Sequence, residues 1–387
     1  IFRLNHIKQL YGTETESRVL YEYGKMIRQH EDFFLKVGHE LDHSFVALIR
    51  VYDALNVCRQ LNALHEVYSI KQSEWLKEFK LKVFAGITFL KNSSMIEECI
   101  HKAMSARKCI PDVHQSSCQW YDSNQENKLL TELNIVKRQN TALKNKEFEV
   151  YLQPKISLKE NQLVGVEALV RWKNEDGSLM NPDEFIPIFE KNGFIIDLDY
   201  YVYETVCKMM KQWKGRKQAD IPVSVNVSRL HLNDNFFLNR FQSIVDRYGI
   251  EPNKIEVELT ESMVIDNTNQ AVITMDELRK HGFTVAIDDF GSGQSSLKLL
   301  KDIKTDILKL DKEFLRKGEM KREDKIIISS IIQMAKQLDM KVLSEGVETE
   351  VQSEFLKQSA CDYAQGYLYA KPMPIAEFER YLLNFQK

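Results

Sequence analysis

Eight short β-rich runs recur through the later two thirds of the chain, and longer amphipathic stretches separate most of them. The runs lie at Glu149–Gln153, Leu163–Val170, Pro222–Val227, Lys254–Leu259, Thr284–Asp288, Ile307–Leu310, Lys341–Ser344 and around Tyr363–Leu368. The segments Tyr200–Trp213, Phe236–Tyr248, Asn269–His281, Asp324–Leu338 and Glu350–Gln358 carry apolar residues at helical spacing. Strand and helix alternating about eight times over ~240 residues predict an α/β fold, a (β/α)8 TIM-like barrel, in preference to an open doubly wound sheet. No Gly-rich fingerprint follows the first run, which counts against a dinucleotide-binding domain.

A chain of 387 residues has room for a second, smaller domain. Glycine and proline are scarce before about residue 145, and Asn124–Lys146 is polar, free of both, with Leu and Ile at helical spacing. The expected organisation is therefore a first domain over 1–122, a connecting helix over 123–146 and the barrel over 147–387. The first domain reads as α/β, with helical pieces at Thr13–Gln29, Ala54–Leu64 and Ser94–Ala106 and β-like runs at Phe45–Val51, Glu66–Ile70 and Lys82–Phe89. It shows no catalytic cluster.

The net charge of −3 lacks the basic excess of a protein that coats nucleic acid, so no nucleic-acid polymer is expected as a partner. The six cysteines, Cys58, Cys99, Cys109, Cys118, Cys207 and Cys361, form no C-x-x-C pair and read as reduced thiols in a cytosol. No apolar run reaches the ~18–20 residues that span a bilayer. The sequence opens at Ile1 and reads as a fragment, which leaves room for a sensor or membrane segment upstream.

The chemistry lies in the polar residues that interrupt the apolar runs. Glu167 sits inside VGVEALV, Asn226 near the end of IPVSVNV, and Glu258 and Glu261 close IEVELTE. Asp288 and Asp289 close FTVAIDD, Lys309 sits inside ILKLD, Glu345 closes KVLSE, and Gln365 follows in DYAQGY. A charge in a barrel wall costs several kcal/mol unless it is matched. One such residue is ordinary; nine, mostly at the carboxyl ends of the runs, point to the face where barrels of this kind carry their active sites. The acids outnumber the lysine, so the cluster calls for divalent cations, and oxygen ligands with one amide carbonyl suit Mg2+ or Mn2+. After Asp289 comes Phe290–Ser296, a small-residue loop that would admit a ligand closely.

These residues stand in strings that resemble the EAL-domain cyclic-di-GMP phosphodiesterases: EALVRW (167–172), NVS (226–228), ELTES (258–262), DDFGSG (288–293), LKLD (308–311), EGVET (345–349) and QGYLYAKPMP (365–374). The resemblance covers about residues 128–385. It implies metal-dependent opening of cyclic-di-GMP to linear pGpG by two divalent cations. Glu167, Asn226, Glu258 and Asp288 would hold one cation, and Asp288, Asp289 and Glu345 the second. Lys309 would orient water or meet developing charge, with Glu345 the candidate base and Asp289 beside it. Glu261 would anchor the loop, and Gln153, Arg171, Gln365 and Glu348 would contact or support the nucleotide. The resemblance also extends to homodimerisation through the barrel. Gln294 and Ser292 depart from the family's usual tyrosine and threonine.

Residues 1–122 resemble a degenerate GGDEF (diguanylate cyclase) domain. LNHIKQLYG (4–12) matches F-K-x-I-N-D-x-x-G with Lys8 and Gln9 replacing Asn and Asp; LDHSF (41–45) stands where GGDEF would, and KVFAGITF precedes the closing helix. Without the two glycines that loop cannot admit a triphosphate closely, so cyclase activity is not expected. Two further readings stand beside the enzyme: a catalytically silent cyclic-di-GMP receptor signalling through the connecting helix, and a first domain that binds GTP unchanged.

Overall fold

In a computed structural model, the structure describes residues 4–40, 44–51, 54–73, 76, 80–90, 95–111, 116–174, 176–291, 303–315 and 321–385. It divides into two compact units, Ile1–Asn134 and Ile135–Lys387. The boundary falls inside the helix Ser123–Asn145, so this helix is more than a connector. Its Ile135 and Ala142 are buried in one cluster with Phe148, Trp172, Phe185 and Phe189, and they belong to the second unit.

The first unit is α/β. Helices Leu4–Arg28, Ala54–Ser73 and Ile96–Lys108 accompany two separate two-stranded sheets. One is the antiparallel hairpin of β1 (Phe34–Glu40) and β2 (Ser44–Ile49); the other is the parallel pair β3 (Phe84–Ile87) and β4 (Ser117–Trp120). Of the LDHSF string, residues 41–43 lie outside the described residues, and Ser44 and Phe45 open β2.

Two expectations fail in this unit. Glu66–Ile70 is not a strand but part of the helix Ala54–Ser73. Leu61, His65, Tyr68 and Gln72 are all buried, and their 4-3-4 spacing is helical; packing of that face overrides the β-propensity of Val67, Tyr68 and Ile70. The second failure concerns the thiols. Cys58 and Cys118 are paired in a disulfide with Cα atoms 5.3 Å apart, so these two are not the free thiols expected, whereas Cys99, Cys109, Cys207 and Cys361 are free. The partners are 60 residues apart in sequence, on a helix and a strand, so spacing alone did not reveal the pair. No helix among the described residues is long and apolar enough to cross a membrane.

The second unit is a closed barrel. Its eight strands are β5 (Phe148–Ser157), β6 (Leu163–Lys173), β8 (Val223–Asn226), β9 (Ile255–Thr260), β10 (Thr284–Phe290), β11 (Ile307–Leu310), β12 (Lys341–Ser344) and β13 (Tyr363–Ala364). Two short strands, β7 (Leu179–Met180) and β14 (Met373–Pro374), pair at the margins with β6 and β5. From β6 through β13 the pairings around the ring are parallel. β5 breaks the regular (β/α)8 pattern by running antiparallel to both β6 and β13. The link from β5 to β6 spans only residues 158–162, and a parallel crossover needs about a dozen.

Side chains alternate across each strand. The outward set, including Val166, Val223, Val225, Val257, Val285, Ile287, Leu308 and Val342, packs against helix residues such as Val206, Val245, Leu278, Ile332 and Leu356 in one continuous core. Each such side chain contributes roughly 1.5–3 kcal/mol on burial, and together they hold the strands in register.

Candidate active site

The inward set of the same strands is polar. Lys155, Glu167, Ser224, Glu256, Glu258, Asp288 and Lys309 are all buried, and Glu345 follows directly after β12. Two residues nearer the amino ends of β10, β11 and β12 sits a small apolar plug of Ala286, Ile307 and Leu343. Glu167, Glu258, Asp288, Lys309 and Glu345 thus occupy the lumen on the mouth side of that plug.

Lys309 stands at the centre of the cluster. Its Nζ is 2.7 Å from Glu258 Oε2, 2.8 Å from Glu345 Oε1, 2.9 Å from Asp288 Oδ1 and 3.6 Å from Glu167 Oε2. Glu167 accepts Asn226 Nδ2 at 3.2 Å on one oxygen and Gln365 Nε2 at 2.6 Å on the other. Asn226 is thereby left with its carbonyl oxygen as an available ligand. Glu258 accepts Lys155 Nζ at 2.7 Å on Oε1, and the same ammonium reaches Glu256 Oε1 at 2.8 Å.

Among the described residues, five lumen carboxylates, Glu167, Glu256, Glu258, Asp288 and Glu345, face two ammonium groups, Lys155 and Lys309. The surplus is three negative charges. Burial and mutual repulsion push Asp288 up to about 8, Glu167 up to about 7 and Glu345 up to about 7. Burial also acts against Glu258, but the two lysines overcome it and hold this carboxyl well below its ordinary value.

Adjacent strand residues normally point to opposite faces, yet Asp288 and Asp289 both reach the mouth. The pairing of β10 with β11 explains this: Ile287 sits opposite Leu308 and Phe290 opposite Leu310, so two aspartates face the single Lys309. This is a β-bulge, a device that re-aims side chains beside sites. Asp289 adopts the left-handed conformation at φ 54°, which aspartate tolerates better than most residues. At the next strand end, Gln365 N–H donates to Ser344 O, and Gln365 O accepts from Val347 N–H. A Cβ on Gly366 would run into the backbone of Val347, so only glycine fits where the two strand ends close on each other.

The donor set fits hard divalent cations. Glu167, Glu258 and Asp288 can each offer an oxygen within 4.8 Å of the others, and so can Asp288, Asp289 and Glu345. Asp288 belongs to both groups, every charged donor is an oxygen, and the negative surplus needs cations. Gln365 Oε1, buried beside Glu167 with no partner among the described residues, is an acceptor left for an incoming donor.

The other expected site residues fall as follows. Glu261 is fully buried, and its Oε2 accepts the N–H of Gly291 at 2.6 Å, at the root of the loop. The rest of that loop, including Ser292 and Gln294, lies outside the described residues. Gln153 is engaged at both ends of its amide, by Ala370 O at 3.2 Å and Gln365 Nε2 at 3.1 Å. Arg171 is half-buried over the Tyr151 ring and donates to Val170 O. Glu348 is exposed, with its backbone N–H on Gln352 Oε1. Sequence reasoning overlooked Lys155 and Glu256. The signal was present: each sits two residues from a recognised position, Gln153 or Glu258, on the same strand face.

A closed barrel with carboxylates and a lysine at its mouth has the layout of metal-using barrel enzymes. The chain belongs to the EAL domain family, whose model matches residues 136–372. It is 27% identical over 374 residues to the bifunctional diguanylate cyclase/cyclic di-GMP phosphodiesterase MucR of Pseudomonas aeruginosa, covering 95% of this chain and 54% of that protein. It is 36% identical over 244 residues to the probable cyclic di-GMP phosphodiesterase PdeB of Escherichia coli, covering 63% of this chain and 46% of that one. The chain thus spans about half the length of either relative. Among solved structures, the PaMucR phosphodiesterase in complex with c-di-GMP superposes with a TM-score of 0.60 at 31% identity, covering 63% of this chain and 99% of that one.

Proposed function

We propose that the barrel hydrolyses cyclic-di-GMP to linear pGpG with two divalent cations, Mg2+ or Mn2+. The observation that carries this reading is the surplus of buried carboxylate around one lysine, with Asp288 common to two oxygen groups. When bound, the cations supply Lewis acidity toward water and the phosphoryl oxygens. Glu167, Asn226, Glu258 and Asp288 would hold the first cation, and Asp288, Asp289 and Glu345 the second. Lys309 holds four carboxylates in one arrangement and is placed to meet developing negative charge. Glu345, directly after β12 with its Oε1 2.8 Å from Lys309 Nζ, is the candidate to take a proton from water. Glu261 fixes the loop root; Gln153 and Gln365 brace Glu167; Arg171 and Glu348 line the approach for the nucleotide.

In the same reading, residues 1–122 are a degenerate cyclase-like domain without turnover, and the activity resides in the cytoplasm. Homodimerisation through the barrel and a sensor upstream belong to it as well. Nothing in the site favours the silent receptor, because every acid position is filled. Incubating the protein with cyclic-di-GMP and Mg2+ or Mn2+ should release pGpG, and chelation should stop it. Bound nucleotide with no product under either metal would defeat the proposal.

A further inference from the structure

Of the two lysines in the lumen, Lys309 touches four carboxylates and favours none. Lys155 is selective. It lies on β5, the strand that runs against its neighbours, and the residue is only 3% exposed. Its carboxylate partners are Glu256 Oε1 at 2.8 Å and Glu258 Oε1 at 2.7 Å. Glu256 precedes Glu258 by two residues on β9, so the grip comes from the side away from the mouth.

The two oxygens of Glu258 are therefore assigned to different tasks. Oε1 is held by Lys155, which also grips Glu256, while Oε2 accepts from Lys309, the ammonium that also meets Asp288 and Glu345. Turning Oε1 toward the mouth would strip the buried Lys155 ammonium of one of its two carboxylate partners and leave it on Glu256. A carboxylate fixed this way offers a cation one oxygen. That suits a cation with octahedral demands and bonds of about 2.0–2.1 Å, such as Mg2+, and its near relative Mn2+. It is a poor match for Ca2+, which takes six to eight oxygens at about 2.3–2.6 Å and often uses both oxygens of one carboxylate.

We propose that Lys155 is a positioning residue that restricts Glu258 to one-oxygen ligation and so sets the preference of the centre for Mg2+ and Mn2+ over Ca2+. The inference rests on the metal reading above and adds to it a source of selectivity lying outside the ligand set.

The test is calorimetric titration of Mn2+ and Ca2+ into the full chain, with folding checked by circular dichroism. Lys155→Met should lose Mn2+ affinity by about 10–100-fold, the usual range for a residue that orients a ligand. Ca2+ affinity should fall less, so that the Mn2+/Ca2+ ratio drops at least fivefold. If that variant fails to fold with Glu256 and Glu258 left uncompensated, Lys155→Met/Glu256→Gln removes one charge of each sign and should show the same drop. Glu256→Gln alone leaves Lys155 on Glu258 and should keep the wild-type ratio. A folded double variant with the wild-type ratio overturns the inference, as does a Glu256→Gln ratio as altered as that of the double variant. Wild-type protein that binds neither cation removes the metal reading itself, a result distinct from both.

Discussion

The two units treat buried ionisable groups in opposite ways. In the first, His65 is 2% exposed, its Nε2 lies 3.0 Å from Tyr23 Oη, and burial pushes its pKa down to about 4. The group is kept neutral and becomes part of a core with Tyr68 and Leu61. In the barrel, burial acts on carboxylates crowded around Lys309, and the charge is concentrated instead of removed. A core that only had to be stable would follow the first solution, because apolar replacements of buried ion pairs are often neutral or better. Unbalanced buried charge therefore marks where the molecule gives up stability for a ligand.

The largest test of that contrast is Asp288→Asn. Removing the carboxylate common to both oxygen groups should lower turnover of cyclic-di-GMP by about 10³-fold or more, since in the proposed mechanism this carboxylate would hold both cations. Product formation is the readout, and retention of near wild-type turnover would show that the charge surplus is structural.

Next in size is an opposed response to pH. His65 has a folded pKa below its unfolded value, so its contribution is present above pH 6.5 and is lost as pH falls toward 4. The shift corresponds to on the order of 3 kcal/mol. Glu167, Glu345 and Asp288 have raised values, so in metal-free protein their contribution is present at low pH. It is lost as pH rises through about 7 to 8. Hydrogen exchange followed separately in residues 54–73 and 255–260 should show protection moving in opposite directions between pH 5 and 8. Mg2+ or Mn2+ at pH 8 should restore the barrel segment alone. Parallel movement of both segments would erase the comparison.

Smaller effects sharpen it. Gly366→Ala puts a methyl against the Val347 backbone and should cost the barrel about 2 kcal/mol, read as a lower melting temperature together with lost turnover. Tyr23→Phe leaves the buried His65 Nε2 without its hydroxyl partner and should cost the first unit about 1 kcal/mol. Turnover by the barrel should be unchanged in that variant.

Much of the barrel was legible because its signals are local. Period-two runs marked the strands, and polar residues such as Glu167 and Lys309 were conspicuous within apolar stretches. What stayed hidden depends on pairing between distant segments. The direction of β5 follows from its short link to β6 and could have been deduced, but the bulge at Asp288–Asp289 exists only against Leu308–Leu310. Lys155 and Glu256 were passed over because PKIS and IEVE look like ordinary half-exposed strand ends until the ring closes. In the first unit, Glu66–Ile70 misled because a short stretch of Val, Tyr and Ile fits either period. The Cys58–Cys118 bridge had no local trace.

The reversed direction of β5 has a consequence for how the barrel can be addressed from outside. In an all-parallel ring the polypeptide would arrive at the floor, far from the chemistry. Here Phe148, the first residue of β5, pairs with Trp172 near the carboxyl end of β6, so the backbone makes its entrance at the rim. The helix Ser123–Asn145 leads directly into that entry point. The last turns of that helix therefore lie next to the end of the barrel that carries Glu167, Asp288 and Lys309.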